Sequence, residues 1–442
     1  MALNYKKSIG LFLLLSSIMS CKDKDVTLNV IDPGHFHASL LQKSSLEGVS
    51  YMVNVYAPQG EELEQYLKAI EGYNTREDNP TSWQEQIYVG DDFLSHLPKD
   101  SGHDVVMLAG NNRRKSEYIL SSVEKCYNVL SDKPMAIDQD GWEKLKTSYD
   151  VAEEKELILY DLMTERYDIL NNIVRDIVNN ESVFGKFEYQ NGPSVSMKSV
   201  HHFYKEVGGN ALKRPEWYYD VTQQGEGIAD VTTHLIDLVF WQCFPGQSIE
   251  TNNVSIEKAS HYPTWISRNQ YALSTGADDF PPYLKQIEEN GSIPVMANGS
   301  IDFKVFDMPV RMEVKWNWTP ESGSGDTFEA VYNGTKVDVV VRQDASTDFV
   351  KSIFLTDDSL PTYNALKDIL KKYPGVRAEY KKKEIEIIVP LECRVSHEDH
   401  FNMVASQFLK YVRGEEKMPL WEKSNTLTKY YITTKSVEMA SL

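Results

Sequence analysis

The sequence predicts an α/β protein, in which an N-terminal Rossmann domain with a doubly wound parallel sheet precedes a C-terminal α+β domain with a large, mainly antiparallel sheet. Strands and helices alternate from residue 26 to about residue 156, as in a parallel sheet with helices on both faces. Long strands then follow one another, which is typical of an antiparallel sheet with one covered face. We therefore expect a Rossmann domain at residues 26–158 and an α+β domain at residues 159–442, with a peripheral insertion at residues 344–385.

The first residues of the chain have the features of a bacterial export signal. Lys6 and Lys7 give a positive start, and residues 9–19 form an apolar run that is too short to span a bilayer. The tetrapeptide Ile18-Met19-Ser20-Cys21 resembles a lipobox. We interpret residues 1–20 as a signal peptide, Cys21 as the lipidated residue and residues 21–25 as a tether. We therefore expect an exported lipoprotein, periplasmic or anchored in the outer membrane; an uncleaved or simply secreted chain is the alternative.

The composition restricts the binding partners. The formal net charge at pH 7 is −19, from 46 basic and 65 acidic residues. Such a surface repels nucleic acid and anionic lipid, so we expect no nucleic-acid partner and membrane contact only through the lipid anchor. A small neutral ligand is compatible with this charge.

The opening strand of the first domain leads into an altered glycine turn. Dinucleotide-binding domains carry G-x-G-x-x-G at this place, where the backbone comes close to a pyrophosphate. Here the turn reads Asp32-Pro33-Gly34-His35-Phe36-His37-Ala38, and only the middle glycine is kept. A carboxylate at position 32 disfavours a diphosphate unless it turns away or is paired. We assign Gly34, His35 and Phe36 as candidate cofactor contacts.

The ends of two further strands complete the candidate cofactor site. An acid usually binds the ribose hydroxyls after the second strand, but this chain has Ala57-Pro58, with Glu61 and Glu62 one turn later. Asn111 and Asn112, after the fourth strand, are suited to contact the nicotinamide half of the cofactor. No arginine replaces the missing acid locally, so the choice between NAD and NADP stays open.

The histidines do not form a recognisable metal site in the sequence. His35 and His37 alternate in an extended segment and point to the same side, and His201 and His202 could join them. No cysteine or carboxylate set completes the site, so we predict no metal. We interpret His397, at the start of a helix, as a capping or interface group.

A glycine-rich turn that enters a helix carries candidate catalytic residues. The segment begins Gln224-Gly225-Glu226-Gly227 and continues through Asp230 and His234. Residues four apart in a helix share a face, so these two side chains can serve one site. A carboxylate beside an imidazole raises the affinity of the imidazole for a proton and can orient it, as a general base requires. A hydrogen bond without a catalytic role is the alternative.

Two motifs together resemble the glucose-fructose oxidoreductase, inositol dehydrogenase and rhizopine-catabolism family, abbreviated Gfo/Idh/MocA. Asp132-Lys133-Pro134 follows a Rossmann strand, where that family has Glu-Lys-Pro, and the helix with Asp230 and His234 is similar to its Asp-x-x-x-His signature after a glycine turn. The resemblance covers about residues 26–245. The remainder resembles the C-terminal domain of a sub-group of exported oxidoreductases.

The resemblance implies an NAD(P)-dependent oxidoreductase that acts on a sugar or sugar derivative by hydride transfer. Lys133 would hold the reacting oxygen beside the nicotinamide, His234 would remove the hydroxyl proton, and Asp230 would orient the imidazole. The C-terminal domain would bind the substrate and form a homo-oligomer. Five residues before the helix are candidates for gripping hydroxyls: His201, His202, Lys205, Arg214 and Trp217.

Export limits the form that this chemistry can take, because free dinucleotide is scarce outside the cytoplasm. The cofactor would be held tightly and recycled, either by paired oxidation and reduction of two sugars or by redox-assisted glycoside cleavage. A carbohydrate-binding lipoprotein that kept the fold and lost the cofactor is a further alternative, favoured by the altered glycine turn.

Overall fold

The computed structural model describes residues 25–188, 192–207, 210–321, 324–357 and 359–442. Residues 1–24, which include the predicted signal peptide and the lipidated Cys21, lie outside the described residues. Within the described ranges, no helix is both long enough and apolar enough to cross a membrane.

Parallel strands and intervening helices form the N-terminal part of the fold. They are β1 (Val26–Ile31), α1 (His37–Leu40), β2 (Val49–Ala57), α2 (Glu61–Thr75), β3 (Gln84–Val89), β4 (Val105–Leu108), α3 (Lys115–Glu124), β5 (Asn128–Ser131), α4 (Gln139–Glu154) and β6 (Leu159–Asp161). The sheet order is β3-β2-β1-β4-β5-β6, and it reverses between β1 and β4. In sheets of this kind, ligands bind at the carboxyl ends of the strands beside that point. All four residues of β4 are buried, as expected of a strand covered on both faces.

A nine-stranded sheet forms the centre of the C-terminal part. Its elements, with the surrounding helices, are α5 (Ile169–Val178), β7 (Val195–His202), β8 (Glu206–Val207), β9 (Asn210–Ala211), α6 (Val221–Gln224), α7 (Gly227–Asp230), α8 (Thr232–Cys243), β10 (Val254–Ser267), α9 (Arg268–Thr275), α10 (Pro282–Lys285), β11 (Ser292–Val305), β12 (Met308–Asn317), β13 (Thr327–Tyr332), β14 (Val339–Gln343), β15 (Ser352–Leu355), α11 (Leu360–Leu370), β16 (Arg377–Lys381), β17 (Glu384–Ile388), α12 (His397–Val412) and α13 (Trp421–Ala440). The order in the large sheet is β10-β11-β12-β7-β13-β14-β15-β17-β16, and every neighbouring pair is antiparallel except β12 with β7. β8 and β9 pair separately. The two large sheets confirm the fold class that the sequence predicts.

The structure corrects the division of the chain in three places. β6 starts at the first residue beyond the predicted boundary and pairs with β5, so the first sheet ends one strand later. Residues 344–385 supply β15 and β16 to the large sheet and are not a peripheral insertion. α12 packs Phe401, Val404 and Phe408 into the core of the first sheet. The order of elements along the chain could not show these contacts, because they join segments that are distant in sequence.

A buried ionic network fixes α8, the helix that carries His234. Arg166 donates two hydrogen bonds of 2.7 Å to the carboxylate of Asp237, which lies one turn beyond His234. Lys429 of α13 has no exposed side-chain surface and lies 2.8 Å from both Asp237 and Asp161, the last residue of β6. The network therefore connects α8 with the C-terminal helix and with the edge of the first sheet.

Candidate active site

The end of β5 and the end of α7 bring Lys133 and Asp230 together. α7 lies close to β11 because Gly227 has no side chain, and a Cβ there would lie 1.9 Å from the carbonyl oxygen of Ala297. The Nζ atom of Lys133 lies 2.6 Å from Oδ1 of Asp230. Two residues that are 97 positions apart thus form one ion pair.

This ion pair determines the charge of both side chains. Burial lowers the pKa of the Lys133 ammonium, but Asp230 and Asp132 outweigh burial and hold that pKa above its ordinary value. Burial raises the pKa of Asp230, but Lys133 outweighs burial and holds the pKa of this carboxyl below its ordinary value. Lys133 is therefore a charged hydrogen-bond donor at neutral pH, suited to an oxygen that gains negative charge.

His234 is a neutral imidazole beside this pair. Burial and the charge of Lys133 lower the pKa of His234 to about 4. Its Nδ1 atom is buried and has no hydrogen-bond partner in the part of the chain that the structure describes.

The predicted dyad of Asp230 and His234 is corrected by this geometry. Asp230 accepts a hydrogen bond from Lys133, and the pKa of His234 falls where the dyad required it to rise. Helix spacing could not show this, because Lys133 comes from the other sheet and is a stronger partner for a carboxylate than a neutral imidazole.

The altered glycine turn is closed by its own backbone. Asp32 has a φ of 48°. Its carbonyl oxygen accepts the N–H of Gly34 at 2.9 Å, and the carbonyl of Ala109 accepts the N–H of His35 at 3.1 Å. These predicted cofactor residues therefore have occupied N–H groups, while Phe36 is exposed beside them. α1 is only four residues long, so it contributes little of the helix dipole that normally faces a pyrophosphate.

The two asparagines after β4 contact the second part of the chain. Asn111 Nδ2 donates to Oε1 of Gln223 at 2.8 Å, and Asn112 Nδ2 donates to the carbonyl oxygen of Gln224 at 2.7 Å. In this conformation their amides join the two parts of the fold and are not free for the nicotinamide contact that the sequence predicts.

A cavity of about 310 Å³ lies at the carboxyl ends of β1, β2 and β4. Its lining includes Glu62 after β2, Arg113 and Arg114 after β4, and Trp217 from the C-terminal part. Gly34 borders it, and a Cβ there would make van der Waals contacts at 3.4 Å with the backbone nitrogen of Asn111 and at 3.5 Å with the Trp217 ring. A second cavity of about 240 Å³ shares Gly34 and Glu62 in its lining.

Three predicted substrate residues meet at an acid, Asp326, that no sequence motif indicated. His202 Nδ1 lies 2.8 Å, Lys205 Nζ 2.6 Å and His201 Nδ1 3.7 Å from the carboxylate of Asp326. Burial raises the pKa of Asp326, but the interactions with these three residues outweigh burial and lower that pKa. Only the register of two strands could have indicated this contact. Asp326 directly precedes β13, whose first residue, Thr327, pairs with Val200, and Val200 directly precedes the two histidines on β7.

Arg214 and Trp217 lie in different surroundings. The Arg214 guanidinium lies 4.5 Å from the centre of the Tyr218 ring, and its Nη2 donates to the carbonyl oxygen of His202 at 3.3 Å. Arg214 therefore supports an aromatic wall, whereas Trp217 borders the cavity at the carboxyl edge of the first sheet.

The family comparison identifies the second part of the chain. Residues 173–441 match the model of the family described as "Putative oxidoreductase C terminal domain". The crystal structure of a "putative oxidoreductase" from Parabacteroides merdae ATCC 43184 is similar over 95% of this chain and 98% of its own chain, with 39% sequence identity and a TM-score of 0.89. No curated protein sequence matches the chain.

Two more distant structures share the fold. The biliverdin reductase of Synechocystis sp. PCC 6803, in complex with biliverdin and NADP+, is similar over 95% of this chain and all (100%) of its own, with 9% identity and a TM-score of 0.58. KijD10, a 3-ketoreductase from Actinomadura kijaniata in complex with NADP and TDP-benzene, is similar over 94% of this chain and 97% of its own, with 10% identity and a TM-score of 0.56.

Proposed function

Because the chain belongs to the family defined by the "Putative oxidoreductase C terminal domain", an oxidoreductase family of the Gfo/Idh/MocA type, we propose that it oxidises or reduces a sugar or sugar derivative by hydride transfer with NAD or NADP. The observation that carries this proposal is the convergence of Lys133, Asp230 and His234 beside the carboxyl edge of the parallel sheet. The cavity of about 310 Å³ lies at the same edge.

The residues of this edge fit a dinucleotide, with two changes from the usual arrangement: the N–H groups of the turn are occupied, and the carboxylate of Asp32, which accepts the Tyr118 hydroxyl at 3.3 Å, also lines the cavity. Gly34 leaves room for a close backbone approach, and Arg113 and Arg114 supply positive charge for a diphosphate. Because the N–H groups of the turn are occupied, these arginines would bind the phosphates in place of the backbone. Glu62 lies where an acid binds the ribose hydroxyls. The NADP complexes of the biliverdin reductase and of KijD10 support the same class of cofactor.

The side chains of this site manage the oxygen and the proton. When bound, the nicotinamide supplies the acceptor or donor of hydride. In the oxidation direction, Lys133 donates a hydrogen bond to the substrate oxygen while neutral His234 takes the hydroxyl proton. The C–H bond breaks with its electron pair, the C=O bond forms, and Asp230 keeps Lys133 charged and in position.

The surroundings of Asp230 support a sugar-like substrate. Phe203, Tyr218 and Trp316 border a small cavity beside this carboxylate, and aromatic faces stack well on sugar rings. The cavity measures about 20 Å³, which is room for about one water molecule. A sugar therefore enters only if the walls or the two parts of the fold move apart, as in many enzymes that close around their substrates.

We also propose that the chain is exported as a lipoprotein with its cofactor held between turnovers, and that it forms a homo-oligomer. The Cys21→Ala variant should move from the membrane fraction to the soluble fraction of the producing cells. A variant that stays with the membrane would contradict lipidation at Cys21. Light scattering of the purified protein measures the mass of the assembly.

Dinucleotide binding is the direct test of the proposed function. The purified protein is denatured and assayed for released dinucleotide, and the cofactor-free protein is then titrated with NAD+ and NADP+. We expect one of them to bind, and the double variant Arg113→Ala/Arg114→Ala to bind about tenfold or more weakly, because charge-assisted hydrogen bonds are lost. Arg377→Ala, at an exposed position of the large sheet, is the matched control. Sugar binding without any dinucleotide binding would overturn the proposal and favour the carbohydrate-binding alternative.

A further inference from the structure

Two histidines of the altered turn and the acid after β5 form a cluster that the proposed function does not use. His37 Nδ1 lies 2.8 Å and His35 Nδ1 lies 3.7 Å from Oδ2 of Asp132. One donor atom from each of the three residues lies within 4.8 Å of the other two. In a tetrahedral zinc site, with metal–ligand distances of about 2.0–2.2 Å, ligand atoms lie about 3.3 Å apart. The two distances to Asp132 lie on either side of that value.

We propose that His35, His37 and Asp132 bind a divalent first-row transition-metal ion, of which Zn²⁺ is the reference case. Two imidazoles and one carboxylate are a ligand set typical of such ions. The sequence predicts no metal because no carboxylate lies near these histidines in the chain. Folding supplies one, since Asp132 is 95 residues away from His37.

Neighbouring groups hold two of the ligands in orientation. Oδ1 of Asp132 accepts the backbone N–H of Lys133 at 3.0 Å, which leaves Oδ2 directed at the imidazoles. The second ring nitrogen of His37, Nε2, lies 3.4 Å from Nε2 of His397 at the start of α12. Metal-binding histidines and carboxylates are commonly oriented by such outer contacts.

Neither of the two neighbouring ammonium groups donates a hydrogen bond to the carboxylate of the cluster, although both interact with its charge. The buried ammonium of Lys115 donates to the main-chain carbonyl oxygen of Asp132 at 3.1 Å and to Asn112, and not to the carboxylate. The ammonium of Lys133 is paired with Asp230. The two imidazoles are therefore the direct partners of Oδ2 of Asp132.

The site also has an access route. Asp132 and His37 are buried, whereas His35 borders the cavity of about 240 Å³. An ion bound here would have three protein ligands and one position open toward that cavity, which is the arrangement of metal sites that bind a water molecule or a substrate atom.

Metal binding by untagged protein tests the proposal. The protein is dialysed against a chelator, titrated with Zn²⁺ by calorimetry, and loaded separately with Co²⁺ to record its visible absorption. We expect about one ion per chain and a Co²⁺ spectrum typical of nitrogen and oxygen ligands. Asp132→Asn and His35→Ala should each weaken Zn²⁺ binding by about 100-fold or more, since each removes a ligand. His96→Gln, an exposed histidine of the same domain, should bind as the unchanged protein does.

Two results would overturn the site: no Zn²⁺ bound by the unchanged protein, or full binding by both ligand variants. If Asp132→Asn does not fold, His35→Ala decides, because its side chain is 32% exposed and borders a cavity. The readout does not depend on a dinucleotide. A protein that binds Zn²⁺ but neither NAD+ nor NADP+ would therefore refute the proposed function and leave the metal site standing. A protein that binds NAD+ or NADP+ but no Zn²⁺ would refute the metal site and leave the proposed function standing.

Discussion

Lys133 is the residue on which the electrostatics of the candidate site depend. Its ammonium keeps Asp230 ionised and is one of the two main causes of the low pKa of His234. The imidazole is therefore neutral over the whole physiological range and is ready to accept a proton, although its low pKa makes it a weak base. A substrate hydroxyl bound to Lys133 compensates for this weakness, because a nearby positive charge lowers the pKa of the hydroxyl.

The contribution of His234 to catalysis can be measured separately from dinucleotide binding. We expect His234→Ala to lower kcat by about 10²- to 10⁴-fold, the usual contribution of a positioned general base. The dissociation constant for the dinucleotide should not change, because His234 does not border the cavity of about 310 Å³. Steady-state kinetics and a binding titration measure the two quantities. Activity within a few fold of the unchanged enzyme would remove His234 from the mechanism.

The low pKa of His234 also makes the stability of the protein depend on pH. The ordinary histidine pKa of 6.5 applies to the unfolded chain, and the pKa in the folded protein is about 4. Between these values the unfolded chain binds the proton and the folded protein does not, so the free energy of unfolding decreases as the pH falls through this window. We expect His234→Gln to lose less stability between pH 6.5 and pH 4 than the unchanged protein. Urea unfolding across this range measures the slopes, with His96→Gln as the control, and equal slopes would contradict the prediction.

The sequence predicted the residues of this site better than their contacts. The tripeptide with Lys133 and the helix with Asp230 and His234 were found as motifs, and folding brings them together. The partner of Asp230 was wrong, because helix periodicity reports only neighbours on one helix. Asp326 was missed, since its histidine and lysine partners lie across a strand pair that no local pattern specifies. The catalytic roles themselves stay predictions until the variants are measured.

At the scale of elements, Gly227 sets the distance between α7 and β11. A Cβ at this position would lie 1.9 Å from the carbonyl oxygen of Ala297, so Gly227→Ala must push the helix away from the sheet. We expect a loss of about 1–3 kcal/mol in the free energy of unfolding, as for other overpacked sites, and weaker catalysis because Asp230 moves with α7. Chemical denaturation and kcat measure the two effects.

Gly72 in α2 is the matched control for this prediction. A Cβ at that position meets no atom within 4 Å. Gly72→Ala should therefore stabilise the protein by about 0.5–1 kcal/mol, because alanine is the better helix former. If Gly227→Ala were as harmless as Gly72→Ala, the close approach of α7 to β11 would not be what places Asp230.

The elements could be predicted where the sequence carries a strong periodic signal. The alternation of strands and helices predicted the parallel sheet, and the succession of long strands predicted the antiparallel sheet with one covered face. Two kinds of element were harder. β6 is a short buried strand whose apolar residues have no period that marks the sheet it joins. β16 carries three charged residues of five at a sheet edge, where polar side chains reach solvent, so its region was read as an insertion.

At the scale of the whole molecule, the C-terminal helices return to the first sheet. α12 buries its apolar face in the core of that sheet. In α13, Tyr430 donates to Asp161 of β6 at 2.9 Å, and the carbonyl oxygen of Leu427 accepts the indole N–H of Trp142 at 2.9 Å. The two parts of the fold are therefore not independent units joined by a linker. Loss of their contacts should affect the stability of both, and these contacts also fix the edge where Lys133 lies.

Lys429 is the residue through which this coupling can be tested. It lies between Asp161 of the first sheet and Asp237 of α8, and its side chain has no exposed surface. Lys429→Met keeps the length and the apolar stem of the side chain but leaves the buried carboxylate of Asp161 without its cation, whereas Asp237 keeps Arg166. Removing one partner of a buried ionic network typically costs about 3–5 kcal/mol, because the remaining charge is uncompensated. We expect a decrease of this size in the free energy of unfolding, measured from the midpoint of urea unfolding with tryptophan fluorescence from both parts of the fold.

Lys435→Met, which removes an exposed ion pair with Glu438 on the same helix, should leave the midpoint unchanged. If Lys429→Met also left it unchanged, the C-terminal helix would not couple the two sheets, and the fixed position of α8 would need another cause.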